Sequence, residues 1–408
     1  MIQYSIRNFG VLLISLFFSV SASAQYAQSL ALDSIKNNSR EKPESHSVKK
    51  IKEGLYENSK NPVLYDLIQR AQTSIDIEIY EMNDPEVRRL LTEAIQRSVR
   101  LRIVKDPTPM GSNCSLFTHP SAQDSEDCLA QKNFLAWVRT TGNTFTAFDK
   151  DLLCGEKNKP CFQHGKMAIF DEKIALMSTG NFDITNLCNL EHTPRVCNRD
   201  YTYVTYDQEV IQTLKTIFES DLSHIKPPSE VLTPEIRKKM TVSPYSKQDI
   251  LNFIHSAQSS IQVVNQYLNE QDFNQALIEA AQRGVQITVL VSSACSFGRP
   301  EPQAQNRLSQ IYSKFDQAGI RSRFFTNKIL INGRHGYMHA KAIVIDQRKA
   351  WVGSINGSMT AFQKNREFGI FFSDAASLTT LQNSFASDFN HPETESWQES
   401  IHCTKDEL

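Results

Sequence analysis

Two histidine–lysine pairs occur in this chain within the same eight-residue pattern, His-x-Lys-x4-Asp. The first copy is residues 164–171 (HGKMAIFD), and the second copy is residues 339–346 (HAKAIVID). The residues before each aspartate are apolar, as in a buried strand, and the two-residue repeat of a strand places histidine and lysine on one face. Paired imidazoles can act as nucleophile and general acid, and ammonium groups stabilise anionic oxygens in a transition state.

Further polar residues follow both copies at similar positions. Seventeen residues after each histidine stands an asparagine, Asn181 in the first copy and Asn356 in the second. Each copy then carries an Asn-Arg-acid-aromatic run, at residues 198–201 and 365–368. A motif of three fixed letters arises by chance in many proteins, but this wider agreement argues against two unrelated strands.

The duplicated motif resembles the signature of the phospholipase D superfamily, and the similarity spans roughly residues 60–390. The resemblance implies an α/β fold in which two similar α-β-α sandwich halves are related by a pseudo-twofold axis. It also implies one active site at the seam, with one histidine from each half. Such a site needs no cofactor and no metal, because an imidazole can attack phosphorus directly.

The resemblance assigns roles to the motif residues. It implies that His164 is the nucleophile, forming a phosphohistidine, and that His339 is the general acid and then the base for water. The two imidazoles share one proton and therefore titrate as a coupled pair. Lys166 and Lys341 are expected to meet the non-bridging phosphate oxygens, where negative charge grows in the transition state.

The remaining polar motif residues are expected to support these groups. Asn181 and Asn356 would donate to the same phosphate oxygens as the lysines. Glu367 is expected to accept a hydrogen bond from the histidine of the opposite half and fix its orientation. Asp200 takes the equivalent place in the first half, where it is one methylene shorter than the glutamate typical of the family.

The aspartates that end the two motifs, Asp171 and Asp346, follow the apolar run. They are expected to make structural links near the end of the strand, away from the phosphate.

A longer repeat surrounds the motifs and predicts a duplicated strand-helix-strand unit. Three pairs of segments match at one constant offset: 71–75 with 257–261, 93–97 with 279–283, and 101–104 with 287–290. The alternation of strands and helices predicts a mostly parallel sheet in each half. Insertions at about 107–160 and 292–336 separate this unit from the motif in each half.

Composition shifts and proline positions predict the domain boundaries. The segments are a signal peptide at 1–24, a polar arm at 25–58, an N-terminal half at 59–225, a linker at 226–246, a C-terminal half at 247–398 and a tail at 399–408.

The two ends of the chain match targeting signals. Arg7, a short apolar stretch and the small-x-small site at residues 22–24 are typical of a cleaved export signal. The last four residues, 405–408 (KDEL), match the retrieval signal for the endoplasmic reticulum lumen, which would make its receptor a partner. We therefore expect an exported protein, secreted or periplasmic, that works in such a lumen; a eukaryotic protein and a bacterial protein acting on a host both fit.

Eight cysteines in an exported chain indicate disulfides. The sequence leaves their connectivity open. Close spacing favours Cys114–Cys128, Cys154–Cys161 and Cys188–Cys197, which leaves Cys295 with Cys403. A zinc site is the alternative, but the chain has no Cys-x2-Cys pair.

The net charge and the predicted location in the endoplasmic reticulum lumen favour a lipid over a nucleic acid as substrate. The formal net charge is −1 and the pI is near 6.8, so no basic excess points to a polyanion. We expect a monomeric phospholipase D that hydrolyses a membrane glycerophospholipid to phosphatidate and the head-group alcohol. The alternatives are a metal-independent nuclease of the same superfamily, a cardiolipin-synthase-like phosphatidyl transferase, and an inactive binding module on the same scaffold.

Overall fold

The computed structural model describes residues 50–110, 112, 114–154, 161–296 and 298–405. The predicted signal peptide lies outside the described residues, as do most of the polar arm and the last three residues of the tail. From Ile51 onward the chain forms one compact unit. None of the helices in the described ranges is long and apolar enough to cross a membrane.

Helices cover the sheets of both halves. The α-helices are Val63–Arg70, Pro85–Gln96, Glu126–Thr140, Asp151–Cys154, Gln208–Leu222, Pro234–Arg237, Lys247–His255, Gln271–Gln282, Pro302–Gln317, Met359–Gln363, Ala375–Phe389 and Trp397–Ile401. Two short 3₁₀ helices are Leu190–His192 and Ser229–Val231.

The strands fall into two sets separated by the linker region. The first set is β1 Gly54–Glu57, β2 Ser74–Ile79, β3 Arg100–Lys105, β4 Thr144–Ala147, β5 Lys166–Phe170, β6 Ile174–Ser178, β7 Val196–Arg199 and β8 Tyr201–Thr205. The second set is β9 Met240–Ser243, β10 Ser260–Asn265, β11 Gln286–Ser292, β12 Arg321–Phe325, β13 Leu330–Ile331, β14 Arg334–Met338, β15 Ala342–Ile345, β16 Lys349–Gly353 and β17 Glu367–Phe372.

Each half is built on a seven-stranded sheet, and the two sheets have the same topology. The orders are β1-β8-β6-β5-β2-β3-β4 in the first half and β9-β17-β16-β15-β10-β11-β12 in the second. The motif strands β5 and β15 occupy the central position of their sheets. The predicted α/β fold with two similar halves is confirmed.

The prediction of mostly parallel sheets is wrong. Only β2-β3-β4 and β10-β11-β12 pair in parallel, and the other four pairings in each sheet are antiparallel. Each motif strand turns directly into its neighbour through a tight hairpin, which requires antiparallel pairing. The predicted insertions also contain fold elements, because β4 and β12 complete the sheets.

The predicted arm and the predicted linker each contain an edge strand of a sheet, so both segments end earlier in the structure than predicted. The segment Gly54–Glu57, assigned to the arm, is an edge strand paired with β8. Met240–Ser243, assigned to the linker, is the equivalent edge strand and pairs with β17. Strands of four residues carry too little periodicity to be recognised, and their partners lie far along the chain. The predicted tail also contains part of a helix, Trp397–Ile401, whose N-cap residue Ser396 forms a capping box with Glu399.

A central apolar core joins the two halves. Along β5, Met167 and Ile169 face this core, whereas Ala168 and Phe170 face the outer core of the first half. In β15, Ala342 contributes to the same central core. Burial on both faces explains why the run before each motif aspartate is continuously apolar.

A small third sheet joins the two halves, and its strands β7 and β14 lead directly to residues of the site. Strand β14 of the second half pairs in parallel with β7 of the first, and Met338 lies opposite Arg199. An equivalent bridge on the other side pairs Gln163 with Arg366. The β7–β14 ladder and the single bridge place each motif histidine beside the acidic residue that follows the arginine of the opposite half.

Three of the four suggested disulfides are present in the described part of the chain. They are Cys114–Cys128, Cys188–Cys197 and Cys295–Cys403. Cys161 is also disulfide-bonded. The fourth suggested pair involves the side chain of Cys154, which lies outside the described residues.

Candidate active site

The two motif histidines lie just before β5 and β15 and pair with carboxylates across the seam. Nδ1 of His164 lies 2.9 and 3.0 Å from the carboxylate oxygens of Glu367. The Glu367 side chain is fully buried, and 13% of the His164 side chain is exposed. The predicted contact between this glutamate and the opposite histidine is therefore present. With Nδ1–H donating to the carboxylate, Nε2 carries the free lone pair.

The second histidine has the same arrangement with a shorter acid. Nδ1 of His339 lies 3.0 and 3.2 Å from the carboxylate oxygens of Asp200. The hydroxyl of Thr179 donates to this carboxylate at 2.6 Å. A Cβ atom on Gly180 would lie 2.6 Å from the Asp200 carboxyl carbon, so the glycine permits this close approach. Asp200 thus occupies the place predicted for it.

Asn186 is a residue of this site that sequence reasoning missed. Its side-chain amide donates to Asp200 Oδ2 at 2.6 Å and lies 3.0 Å from His339 Nδ1. It is buried and belongs to a segment specific to the first half. No repeat or spacing marks it, because its contact with the second motif exists only in the folded chain.

The motif lysines are fully buried beside the histidines. Lys341 Nζ lies 3.1 Å from His339 Nε2, and Lys166 donates to the carbonyl oxygen of His164. Burial lowers the pKa of Lys166 to about 8 and that of Lys341 to about 7. Two poorly solvated cations at one point form a strong binding site for an anionic group.

The predicted asparagines have unused hydrogen-bonding capacity. Asn181 and Asn356 are both buried, and the Oδ1 atom of each has no hydrogen-bond partner among the described residues. The amide nitrogen of Asn181 makes a long contact with Glu81, at 3.4 Å, and the Asn181 side chain also hydrogen-bonds Asp183. Buried polar groups are normally satisfied, so these two amides mark a place where a polar ligand would complete the network.

The histidine pKa values are both lowered. Burial is the main cause for His164, with the charges of Lys166 and Lys341 adding to it. Burial likewise lowers the pKa of His339 to about 4, and Asp200 opposes this shift. An anion bound between the lysines would offset their charge and raise the pKa of both imidazoles.

The two carboxylates shift in opposite directions. Burial raises the pKa of Glu367 to about 8, against the lowering effect of Lys166. Burial also disfavours ionisation of Asp200, but His339, Lys341 and the Thr179 hydroxyl outweigh it and lower its pKa. The carboxylate beside His339 is therefore the more readily ionised of the two.

The aspartates that end the motifs make the structural links predicted for them. Asp171 accepts hydrogen bonds from the backbone N–H groups of residues 72–74, and Asp346 accepts from those of residues 258–260. These donors belong to the matching segments of the sequence repeat. The backbone N–H groups lower the pKa of both aspartates despite partial burial.

The arginines of the Asn-Arg-acid runs lock the halves together. Arg366 forms a bidentate ion pair with Asp221, with both N–O distances 2.8 Å. Arg199 forms the equivalent pair with Asp388, at 2.7 and 2.8 Å. Each arginine bonds an aspartate of the other half, so the acids that follow them are held firmly at the seam.

No group of three or more His, Cys, Asp or Glu side chains within the described ranges is arranged to hold a metal ion. The arrangement brings two imidazoles and two ammonium groups within electrostatic range of one another, and such a set can bind an anionic phosphodiester and transfer its phosphoryl centre.

Comparisons with known proteins place this geometry in a family. The family model described as "Cardiolipin synthase, PLD-like domain" matches residues 64–222 and 250–389. The probable cardiolipin synthase YwiE of Bacillus subtilis is 27% identical over 216 residues, covering 47% of this chain and 39% of that relative. A cardiolipin synthase of Geobacillus thermodenitrificans is 23% identical over 353 residues, covering 80% of this chain and 64% of that relative. This chain therefore spans less than two thirds of these relatives.

Solved structures show the same fold. Phosphatidylserine synthase from Haemophilus influenzae superposes with a TM-score of 0.59 at 12% identity, covering 85% of this chain and 88% of that chain. Polyphosphate kinase from Porphyromonas gingivalis superposes with a TM-score of 0.54 at 15% identity, covering 86% and 55%. The family model matches more than half of the chain in two blocks, each containing one His-x-Lys-x4-Asp motif. The chain therefore belongs to the cardiolipin synthase PLD-like domain family of the phospholipase D superfamily.

Proposed function

We propose that this protein is a phosphatidyl transferase, which moves the phosphatidyl group of a glycerophospholipid to an alcohol through a phosphohistidine. Water competes as acceptor, and hydrolysis then yields phosphatidate. The observation that carries the proposal is the pair of histidine–carboxylate contacts across the seam, with a buried lysine beside each histidine.

In the first step, Nε2 of His164 attacks phosphorus and forms a P–N bond. The P–O bond to the head group breaks, and His339 gives its Nε2 proton to the leaving oxygen. In the second step, the acceptor hydroxyl gives its proton to His339 and forms a new P–O bond. The P–N bond breaks, and the electron pair returns to His164.

The two carboxylates support this division of roles. The acid must carry a positive charge before the first step, and the ionised Asp200 stabilises such an imidazolium on His339. The nucleophile must be neutral, and Glu367, whose pKa is raised by burial, favours an imidazole of His164 that carries no net charge. His164 as nucleophile and His339 as acid therefore fit their partners.

The lysines and asparagines would stabilise the phosphoryl oxygens. Lys166 and Lys341 lie two residues after the histidines, and burial removes the water that would screen their charge. The Nδ2 groups of Asn181 and Asn356 would donate to the same oxygens, and their Oδ1 atoms, which have no partner among the described residues, are free to accept from the hydroxyl of the acceptor alcohol.

Transfer to an alcohol is preferred to simple hydrolysis because the relatives named above are cardiolipin synthases. A lipid is preferred to a nucleic acid because the chain carries no excess of positive charge. Hydrolysis remains a side reaction of the same intermediate.

The test offers purified protein three substrates: phosphatidylglycerol in mixed micelles, other glycerophospholipids, and single-stranded DNA. Products are identified by mass spectrometry with and without an added alcohol. We expect a new phosphatidyl-alcohol, or cardiolipin from phosphatidylglycerol alone, and its loss in His164→Ala. Phosphatidate as the sole product with every acceptor would make the protein a hydrolase, and cleavage of DNA alone would overturn the lipid proposal.

We also propose that the protein works in an oxidising compartment reached by export. Three intact disulfides support this, including one that ties Cys403 to Cys295 just before the KDEL sequence. Expression behind a eukaryotic signal sequence should retain the protein in the endoplasmic reticulum lumen, and deletion of residues 405–408 should release it. If the full-length protein and the form without residues 405–408 distribute identically in the cell, the proposed retention in the endoplasmic reticulum lumen is wrong.

A further inference from the structure

The disulfide Cys188–Cys197 closes an inserted segment that the second half does not contain. In the first half 19 positions separate the motif asparagine from the acid of the Asn-Arg-acid run (181 to 200), against 11 in the second half (356 to 367), so the first half has eight extra residues. Both cysteines are buried. The crosslink therefore lies inside the protein, close to the seam between the halves.

This crosslink joins the two chain segments that contact the second motif histidine. Asn186 lies two residues before Cys188, and Asp200 lies three residues after Cys197. The amide of Asn186 donates to Oδ2 of Asp200 at 2.6 Å and lies 3.0 Å from Nδ1 of His339. The carboxylate of Asp200 lies 3.0 Å from the same nitrogen. Residues from both sides of the disulfide thus converge on one imidazole nitrogen.

Residues of the second half contact the disulfide on both sides. Cys197 lies on β7, opposite Gly336 on β14, which is the strand that leads to the second motif. The side-chain amide of Asn332 contacts Sγ of Cys188 at 3.5 Å. The crosslink is therefore fixed relative to the second half, although both of its cysteines belong to the first.

The backbone of Asn186 is also held in place. Its N–H donates to Oδ1 of Asp183 at 2.8 Å, and its carbonyl oxygen accepts from the side chain of Asn58 at 3.3 Å. The carbonyl oxygen of Thr185 accepts from the N–H of Asn198 at 2.9 Å. These bonds and the disulfide fix the direction in which the Asn186 amide points.

The second half supports its acid in another way. The offset of 175 that relates the two motif histidines places Ala361, which has no polar side chain, at the position of Asn186. Glu367 instead accepts from the amide of Asn365, two residues before it, at 2.9 Å. The inserted segment thus supplies an amide to the shorter acid of the first half, and the sequence repeat alone does not produce this contact.

We propose that Asn186 is a positioning residue for the general acid His339, and that the disulfide Cys188–Cys197 holds Asn186 in place. This inference rests on the proposed function. An amide that donates to a carboxylate stabilises its charged form and restricts its rotation. The fixed carboxylate of Asp200 then holds Nδ1–H of His339 and leaves Nε2 for the leaving oxygen. Loss of the amide weakens the acid and leaves the nucleophile intact.

The charges around His339 give the sign of the expected pH effect. Burial lowers its pKa, Lys341 and Lys166 add to this effect, and Asp200 opposes it. His164 is a further titratable group that interacts with it electrostatically. Without the amide, the carboxylate is less firmly held and opposes the shift less. The pKa of His339 then falls further, so the acid is lost at lower pH.

The experiment compares two donors in mixed micelles, phosphatidylglycerol and phosphatidyl-p-nitrophenol. p-Nitrophenol leaves without an acid, so its release in a single turnover reports the nucleophile alone. Asn186→Leu keeps the branched shape of the side chain and removes the amide. It should lower kcat with phosphatidylglycerol by about tenfold, the effect of a hydrogen bond to a charged group, and leave the release of p-nitrophenol unchanged. The alkaline limb of kcat should move to lower pH by about one pH unit.

A double variant tests the disulfide. Cys188→Ala with Cys197→Ala should show the same loss with phosphatidylglycerol and the same unchanged release of p-nitrophenol. Adding Asn186→Leu to this variant should cause little further loss, because both changes act through one amide. If the two losses multiply, the disulfide acts independently of Asn186, and the proposed link between them is wrong.

Two matched controls separate this effect from general damage. Asn189→Leu removes another buried amide of the same segment, which donates to Asp84, and Cys295→Ala with Cys403→Ala removes another disulfide. Both should keep kcat and the pH profile. Circular dichroism checks that each variant is folded, and Asn186→Ala replaces Asn186→Leu if leucine prevents folding.

The outcomes distinguish this proposal from the proposed function. Unchanged kcat and an unchanged pH profile in the Asn186 variant would overturn the positioning role alone. Equal losses with both donors would do the same, because the effect would then not be specific to the acid. Absence of lipid turnover in the unaltered protein would overturn the proposed function and the role of Asn186 with it.

Discussion

The two halves of this protein supply the same chemical groups to one site, but they support them differently. Glu367 reaches His164 from β17 and has a raised pKa, whereas Asp200 reaches His339 after β7 and has a lowered pKa. The shorter acid is compensated by Gly180, which lets it approach, and by donors from Thr179 and Asn186.

This difference shows how a duplicated fold can perform an asymmetric reaction. A phosphoryl group needs a clamp of similar donors on both sides, and the repeated lysines and asparagines provide it. In the proposed reaction, nucleophile and acid need opposite protonation states, and the unequal pKa shifts of Glu367 and Asp200 favour such a division.

The largest effect is expected from the histidines. His164→Ala and His339→Ala should each lower turnover by about 10⁴-fold or more, because groups that act as a unit fail together. A p-nitrophenyl leaving group needs no acid, so it should restore the first step in His339→Ala alone. A denaturing quench at mildly alkaline pH, which preserves the acid-labile P–N bond, followed by peptide mass spectrometry should then find the phosphatidyl group on His164. A label on His339 would reverse the roles of the two halves.

The cross-seam arginines are expected to differ in their effect on stability. Arg366 and Asp221 are both fully buried, whereas 12% of the Arg199 side chain is exposed. Arg366→Met should lower the free energy of unfolding by about 3–5 kcal/mol, because it leaves a buried charge unpaired, and Arg199→Met should lower it less. Urea denaturation measures both losses.

A double variant tests the origin of that loss. Arg366→Met with Asp221→Leu removes both charges and should recover most of the lost stability. If the double variant is no more stable than Arg366→Met, the loss of stability in Arg366→Met comes from lost packing. The unpaired charge of Asp221 would then not be its cause, and the two ion pairs would not differ through burial of charge.

The carboxylates should also show unequal losses. Asp200→Asn is expected to lower kcat about 100-fold, because an imidazolium on His339 loses its counter-charge, and Glu367→Gln about tenfold. Both changes keep the size of the side chain, so circular dichroism should be unchanged. Steady-state kinetics on the lipid substrate give the values, and a larger loss for Glu367→Gln would contradict the assigned roles.

The smallest expected change is a displacement of the pH profile. The lysines act as cations, and burial lowers their pKa values to about 7 for Lys341 and about 8 for Lys166. Deprotonation of His339, whose pKa is about 4 in the free enzyme, already lowers kcat/KM, and the fall should become steeper as pH rises through the interval of the lysines. Both falls should lie at higher pH in kcat, since a bound anion raises the pKa values of these groups.

Arginine provides the matched control for this profile, because it keeps its charge at every accessible pH. Lys341→Arg should move the alkaline limb of kcat/KM upward, even if the rate is lower. The profile should be the same in the presence of a strong chelator. Reversible loss of activity on chelation would reveal a required ion.

Much of the fold and site could be predicted from local patterns in the sequence. The repeated motifs identified the histidines, lysines, asparagines and acids, and the matching segments predicted the duplicated strand-helix-strand unit. The same patterns missed the edge strands β1 and β9, because four residues carry little periodicity and pair with strands far along the chain. Antiparallel pairing was also missed, since alternation of helices and strands does not encode strand direction.

By itself, the sequence determined which groups could do chemistry, because residue type and spacing are local properties. Tertiary structure alone decided which groups meet. The pairing of Arg366 with Asp221 and the contact of Asn186 with His339 each join segments that are far apart in the sequence. Burial also shifts the pKa values of the site's carboxylates and ammonium groups, because these groups lose their contact with water. No local sequence pattern records how deeply a residue is buried.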